Sequence, residues 1–434
     1  MKKLVSLILA IMMIAMVGAA FAAVNSDGTL NDDSGITSTE TTINIAKQIV
    51  FVNSETTTVR EPNITYTYTI SAVTPTNATI TDKNEMTGTV KAGILTAVTG
   101  ATTATTSTVT FADTATSSAT STGTSTASKY AAFTFDATKF LVSGVLTPGI
   151  YRYKIAETTN VTKASVGIKE APTYEDERWL DVYVKWTNDN HTALEVYGYV
   201  LYEGTDSQTI KSDDLTGGDV SMKSTGYVNT ATTSGTQADV DVYTTLNLYI
   251  EKTTTGTMAD KGNDFPITLT LAAATGVTAN PKIDVTLGGN GTLTGTASDT
   301  AGTYITFATS MTGTVDNGSS IYLKGIPAGS TVSGATASLV ETNNTPDSYK
   351  VKAGTTSGGT DLLAEAIVAT TANSGATSTQ TLTEKRSIYI TNTLDAISPT
   401  GYVSRFAPYA LILVAGIALL IVAKKRKPAK DDEE

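Results

Sequence analysis

The sequence predicts an all-β protein built as two tandem β-sandwiches, flanked by an N-terminal signal peptide and a C-terminal transmembrane helix. Three observations predict it. Short alternating runs rich in Val, Ile, Thr and Tyr recur along the chain, whereas long helical periodicity is absent. The length of 434 residues and the hydrophobic content of 40% are enough for two or three cores once the ends are removed. The same series of features also occurs twice in the same order. Each half opens on a strand with an inward Lys, continues to a Gly/Pro turn and a strand ending in Glu, and closes on an Asn-Thr pair.

The two ends frame the body of the chain. Residues 1–22 read as a secretory signal: Lys2 and Lys3 are its basic start, Leu4 to Val17 its apolar stretch, and Ala20-Phe21-Ala22 its small-residue cleavage site. Ala407 to Ala423 is an apolar stretch at the short end for a spanning helix. Lys424, Lys425, Arg426 and Lys427 follow it at once, which places that end in the cytoplasm and the body outside. An exported chain with no cysteine has no disulfide staples. The net charge of −11 argues against a nucleic-acid partner, because a phosphate-binding surface is basic. No pattern for a cofactor or metal stands out. Asp260 and Asp264 fit a solvated turn better than a calcium site, and His191 fits a loop.

Residues 23–42 read as a flexible lead and 43–229 as the first sandwich. Within it, 99–128 is almost wholly Thr, Ser, Ala and Gly, and reads as an exposed insert that is unable to build a core. A Thr/Ser/Gly-rich joint at 230–239 precedes the second sandwich, 240–394. Residues 395–434 hold a Ser398-Pro399-Thr400-Gly401 tetrapeptide, the apolar stretch and the basic tail.

Strand parity picks out the candidate chemistry. Side chains alternate faces along a strand, so Ile43, Ile45, Lys47, Ile49 and Phe51 share one face, as do Leu246, Leu248, Ile250 and Lys252. Both ammonium groups therefore point into a core, where an uncompensated charge is costly. Tyr151, Tyr153, Ile155 and Glu157 share a face, as do Leu339 and Glu341, and Ile388, Ile390 and Asn392; Tyr227 and Asn229 give a weaker case. A lone Lys of this kind usually snorkels at a rim, but the repetition of Lys, Glu and Asn in order favours a shared role. Burial favours neutral amine and neutral acid. A neutral amine can attack an Asn side-chain carbonyl while a protonated Glu polarises it and shuttles protons as ammonia leaves. The resulting amide joins first strand to last and removes the buried charge.

The segments around these residues resemble the Gram-positive major pilins with streptococcal pilin isopeptide linkage domains. They are the Lys47 strand, Pro148–Glu157, Tyr183–Thr187, Glu251–Phe265 and Ile390–Thr393. The resemblance spans nearly the whole mature chain. It implies Ig-like sandwiches of the Cna B type, a Lys47–Asn229 bond assisted by Glu157, and a Lys252–Asn392 bond assisted by Glu341. Ser398, Pro399, Thr400 and Gly401 resemble a sortase sorting motif of the pilin variety, although the family more often carries an apolar residue where Ser398 stands. The implied partners are a sortase and either peptidoglycan or neighbouring pilin subunits, with transient membrane contact through the C-terminal helix. The implied location is the cell wall of a Gram-positive bacterium. Polymerising members carry an acceptor Lys where this chain has Tyr202, and nothing selects Lys211 or Lys223 in its place. The expected function is thus a structural pilin-like shaft subunit, with a non-polymerising wall-anchored adhesin as the alternative. Apart from single-turnover bond formation, no catalytic cluster suggests an enzyme.

Overall fold

A computed structural model describes residues 40–425, apart from 76–78, 82–86, 102–103, 123–124, 172–173, 203–225, 228–229, 232–236, 239–240, 308–309, 329–334, 343–348, 355–361, 368–373, 377–379, 383–385 and 396–399. The first half uses β1 (Glu40–Asn53), β2 (Ile64–Ala72), β3 (Thr105–Phe111), β4 (Ser125–Asp136), β5 (Gly149–Thr159), β6 (Glu177–Trp186), β7 (Leu194–Tyr202) and the short β8 (Gly226–Tyr227). The second uses β9 (Asp241–Thr255), β10 (Phe265–Ala272), β11 (Lys282–Gly288), β12 (Ser320–Pro327), β13 (Ala335–Thr342), β14 (Lys350–Gly354) and β15 (Arg386–Thr393). The helix α1 (Thr400–Lys425) follows.

Two hydrophobic cores fill the two halves. The first runs from Ile43 to Tyr243 and the second from Leu246 to Ile390. In the first, the sheet β7-β6-β5-β2-β3 faces β4 and β1; in the second, β10 and β13 face β11-β12-β9-β15-β14. β1 also pairs with β9, so a single sheet runs through both halves.

The first strand of each core pairs in parallel with its last. Ala46 and Lys47 of β1 lie opposite Gly226 and Tyr227 of β8, and Ile49 to Asn53 then lie opposite Asp241 to Thr245 of β9. Leu248 to Thr255 of β9 lie opposite Arg386 to Thr393 of β15. Position 226 needs glycine: a Cβ there would sit 2.1 Å from the Ala46 carbonyl oxygen, at a φ of 152°.

The reading of 99–128 as an exposed insert is corrected. The tract supplies β3, the Thr116–Ala119 strand and the start of β4, and β4 pairs with β1 from Glu40 to Phe51. Its few apolar residues, Val109, Phe111 and Ala119, are spaced to reach the core and are buried. Thr is β-branched and tolerates the half-solvated outer face of a strand.

The change of core falls inside β9 and not in the joint before it. Asp241, Tyr243 and Thr245 are buried on one phase, Leu246, Leu248, Ile250 and Lys252 on the other. A register irregularity against β12 between Leu246 and Leu248 accompanies the switch. Buried polar groups line it: Asn53 Nδ2 donates to Thr245 Oγ1 (2.9 Å) and Asn247 Oδ1 (3.1 Å).

Arg60 latches the halves together. It is 3% exposed; Nε lies 2.6 Å from Asp284 Oδ1, and Nη1 donates to Asp299 (2.9 Å) and to the Asp113 carbonyl (2.8 Å). Removing one partner of a buried ion pair strands the other. Arg60→Ala is expected to cost about 3 kcal/mol and to split one denaturant transition into two, as followed by fluorescence.

The C-terminal apolar stretch forms α1, with the side chains of Tyr409 to Val422 exposed. The expectation of a C-terminal transmembrane helix is corrected: among the described residues no helix is long and apolar enough to cross a membrane. The signal sequence, residues 1–22, lies outside the described residues.

Candidate functional site

Both inward lysines are fully buried, as strand parity requires: Lys47 and Lys252 are each 0% exposed. Each is enclosed by aromatic rings. Lys47 Nζ lies 4.2 Å from the Tyr66 ring centre and 4.7 Å from that of Tyr174, and Lys252 Nζ lies 4.0 Å from that of Phe265. Rings supply a cation–π contact and exclude water, but cannot by themselves balance a buried charge.

In the first core, β5 brings Glu157 to Lys47, with both carboxylate oxygens 3.3–3.4 Å from Nζ. β9 brings Asp241, whose Oδ2 is closer still, at 2.7 Å. Tyr phenols tie the carboxylates in place. Tyr66 donates to Asp241 Oδ2 (2.7 Å), Tyr68 to Glu157 Oε2 (2.8 Å) and Tyr174 to Glu157 Oε1 (2.5 Å). Burial first, and the neighbouring carboxylates next, push all three phenols well above their usual range, so they remain donors.

In the second core, Lys252 Nζ donates to Glu341 Oε2 and Asn392 Nδ2 donates to Glu341 Oε1 at 2.6 Å. Glu341 is 2% and Asn392 0% exposed. Asn392 Oδ1 is buried with no hydrogen-bond partner among the described residues. An unsatisfied buried carbonyl is costly. Here it leaves the electrophilic end of the amide open to a donor or a nucleophile. Burial pushes Lys252 down to about 8, against the opposing pull of Glu341.

That depression has a measurable sign. The unfolded Lys titrates near 10.4, so between pH 8 and 10.4 the unfolded chain binds the extra proton and stability rises with pH. An Asn392→Ala chain, which keeps Lys252 free, is expected to gain roughly 3 kcal/mol over that window relative to Asn392→Ala with Lys252→Met. Denaturant melts at stepped pH measure the difference.

The two sites are equivalent in register. Asn392 lies opposite Thr254, two residues beyond Lys252, and Asp241 lies opposite Ile49, two residues beyond Lys47. Asp241 therefore holds the place in the first core that Asn392 holds in the second. Asn229 lies outside the described residues. The sequence reading missed Asp241 because β9 was followed only on the phase of Lys252. Its signal was the opposite phase, Asp241 and Tyr243, directly after the joint.

The other sequence candidates are placed as follows. Tyr202 is buried, with Trp179 beside it. Lys211 and Lys223 lie outside the described residues, as do Ser398 and Pro399, while Thr400 and Gly401 open α1. His191 is exposed at a φ of 54° and stacks on Trp186. Among the described residues no group of three or more His, Cys, Asp or Glu is arranged to hold a metal.

No protein-family model matches the chain, and no curated protein does. Among solved structures, the major pilin from Streptococcus pyogenes is 19% identical, with a TM-score of 0.35, over 82% of this chain and 99% of that one. A second major pilin from that species is 20% identical, with a TM-score of 0.34, over 83% and 100%. A pilus-presented adhesin is 14% identical, with a TM-score of 0.24, over 51% of this chain and 38% of its own. Likenesses at such scores carry no weight for fold or function, which rest on the chain's own geometry.

Proposed function

We propose that this chain is a pilin-like structural subunit of an extracellular shaft, and that an internal amide bond closes each of its two sandwiches. The observation that carries the reading is the pair of buried clusters at equivalent register. Each puts a lysine, a glutamate and a side-chain acyl group together where the first strand meets the last. In the first core Lys47 joins Asp241 with loss of water; in the second Lys252 joins Asn392 with loss of ammonia. Glu157 and Glu341 move the protons. Asp241 takes the acceptor role that the resemblance gives to Asn229, because its carboxylate touches Lys47.

Fixed geometry explains how such reactions run without an outside enzyme. Held neighbours have effective concentrations of about 10⁵ M or more. The product removes a buried charge pair and staples a chain that has no cysteine. Outside the sandwiches, a sortase cleaves between Thr400 and Gly401 and joins Thr400 to peptidoglycan or to a neighbouring subunit. Thr400→Ala is then expected to remove the protein from the covalently bound fraction of wall extracts.

Tyr202 supports a second reading. A polymerising chain would offer an accessible amine there, and this side chain is a buried phenol. A single-copy, wall-anchored adhesin or stalk has the same internal bonds and the same anchor. Electrophoresis of wall extracts separates the two, since a polymer gives a covalent ladder and a single subunit does not.

Mass spectrometry of the full chain tests the internal bonds. The expected mass is lower than that of the sequence by one water and one ammonia, after any signal cleavage. A mass with neither loss overturns the reading.

A further inference from the structure

The first core holds a second lysine that the second core lacks among its described residues. Lys163 lies on a turn of 3-10 helix, Lys163–Val166, between β5 and the Ile168–Glu170 strand that pairs with β9. The side chain is 11% exposed. Its Nζ lies 3.3 Å from Asp241 Oδ1, 3.1 Å from Glu157 Oε1 and 2.5 Å from Glu170 Oε2, with Asp176 at 4.0 Å. It also sits 3.6 Å from the Tyr174 ring centre and 5.8 Å from that of Tyr66. The two lysines divide Asp241 between them, Lys47 at Oδ2 and Lys163 at Oδ1.

We infer that Lys163 is a second catalytic lysine of the first site, acting as a fixed cation for the Lys47–Asp241 bond and never as its nucleophile. The inference rests on the amide-forming reading above. Lys47 passes one proton to Asp241 Oδ2, and its neutral nitrogen attacks Cγ. Negative charge develops on Oδ1, which faces Lys163. Glu157 takes a second proton from the nitrogen and returns it to Oδ2, which leaves as water. One proton stays on the amide nitrogen.

Charge bookkeeping gives Lys163 its second task. Condensation of Lys47 with Asp241 removes one cation and one anion, and leaves the buried Glu157 carboxyl facing Lys163 at 3.1 Å. The second site has no such remainder. There the extra proton of Lys252 passes to Glu341 as neutral ammonia leaves, so cation and anion are lost together. The first site therefore keeps a cation, Lys163, beside Glu157 and Asp241 after its bond has formed.

The position of Lys163 also explains why it is not the nucleophile. Glu170, at the rim, pairs with its ammonium at 2.5 Å. Although burial pulls the ammonium down, Glu157, Asp241 and Glu170 together push it up to about 12. The turn itself is anchored, with the Ser165 carbonyl accepting from the Thr278 and Ala279 amides of the second half.

The test is the rate of bond formation on refolding of the full chain, read by peptide mapping. Lys163→Gln is expected to form the Lys47–Asp241 link about 100-fold more slowly, with the Lys252–Asn392 link unchanged as the internal control for folding. Lys163→Arg restores the first link to within about tenfold of wild type. Equal rates in Lys163→Gln and wild type, or a link from Lys163 itself, overturn the role of Lys163 alone. A wild type with no Lys47–Asp241 link overturns the first-site reading and this role with it. If Lys163→Gln does not fold, Lys163→His carries the test. The groups facing position 163 are Glu157, Glu170, Asp176, Asp241, Tyr66 and Tyr174. An imidazolium at pH 6 is expected to support the link and a neutral ring at pH 9 to slow it tenfold or more. A rate that ignores that change overturns the proposal.

Discussion

Glu341→Gln is expected to leave Lys252 and Asn392 unjoined and to lower the stability of the second sandwich by about 5 kcal/mol. The substitution keeps the size of the side chain but removes the group that accepts from both Lys252 and Asn392. Without a carboxyl, nothing in that cluster carries protons from amine to leaving group. The bond it prevents closes a loop of about 140 residues, and a cross-link of that span is worth roughly 5 kcal/mol in the chain-entropy account. Thermal melts should fall by about 10–20 °C, and trypsin should cut the second half first. A variant that keeps the loss of ammonia, or melts with wild type, removes Glu341 from the role.

Asp241→Ala and Asp241→Asn separate the first site from every alternative acceptor. Asp241→Ala removes the acyl group and leaves Lys47 and Lys163 with Glu157 as their one fully buried counter-ion. A stranded buried charge costs about 3–5 kcal/mol, in addition to the lost cross-link. The variant is expected to lose the first bond and to unfold its first half well below wild type, as measured by calorimetry. Asp241→Asn keeps an acyl group and changes only what leaves. Linked Asp241→Asn and linked wild type are the same molecule, because ammonia departs from one and water from the other. Their final masses should therefore coincide. A mass that differs by the Asp-to-Asn substitution means that position 241 is not the acceptor.

Much of the candidate site is legible in the sequence, because strand parity is a local property. Lys47, Lys252, Glu157, Glu341 and Asn392 each continue an apolar alternation, and each is buried on the face which that alternation gives. Asp241 and Lys163 are not legible in this way. Asp241 sits on the phase of β9 that faces the first core, while the residues that draw attention to the strand face the second. Lys163 lies on a turn with no periodicity, and only the fold of that turn onto β9 brings it to Asp241. The Thr/Ser-rich tract misled for the opposite reason. Its composition is that of a loop, yet a few apolar residues at strand spacing were enough to fix β3 and β4 in the sandwich.

The sequence by itself determined the all-β class and the inward face of each lysine. These follow from alternation and composition along single strands. Only the tertiary structure decided which side chains each lysine meets, because that depends on register between strands about 140 to 190 residues apart. It also decided that one strand serves both cores, turning Asp241 to the first and Lys252 to the second. That switch of phase is a packing event between the halves, and its trace in the chain is only the short alternation of Asp241, Tyr243 and Thr245 ahead of Leu246.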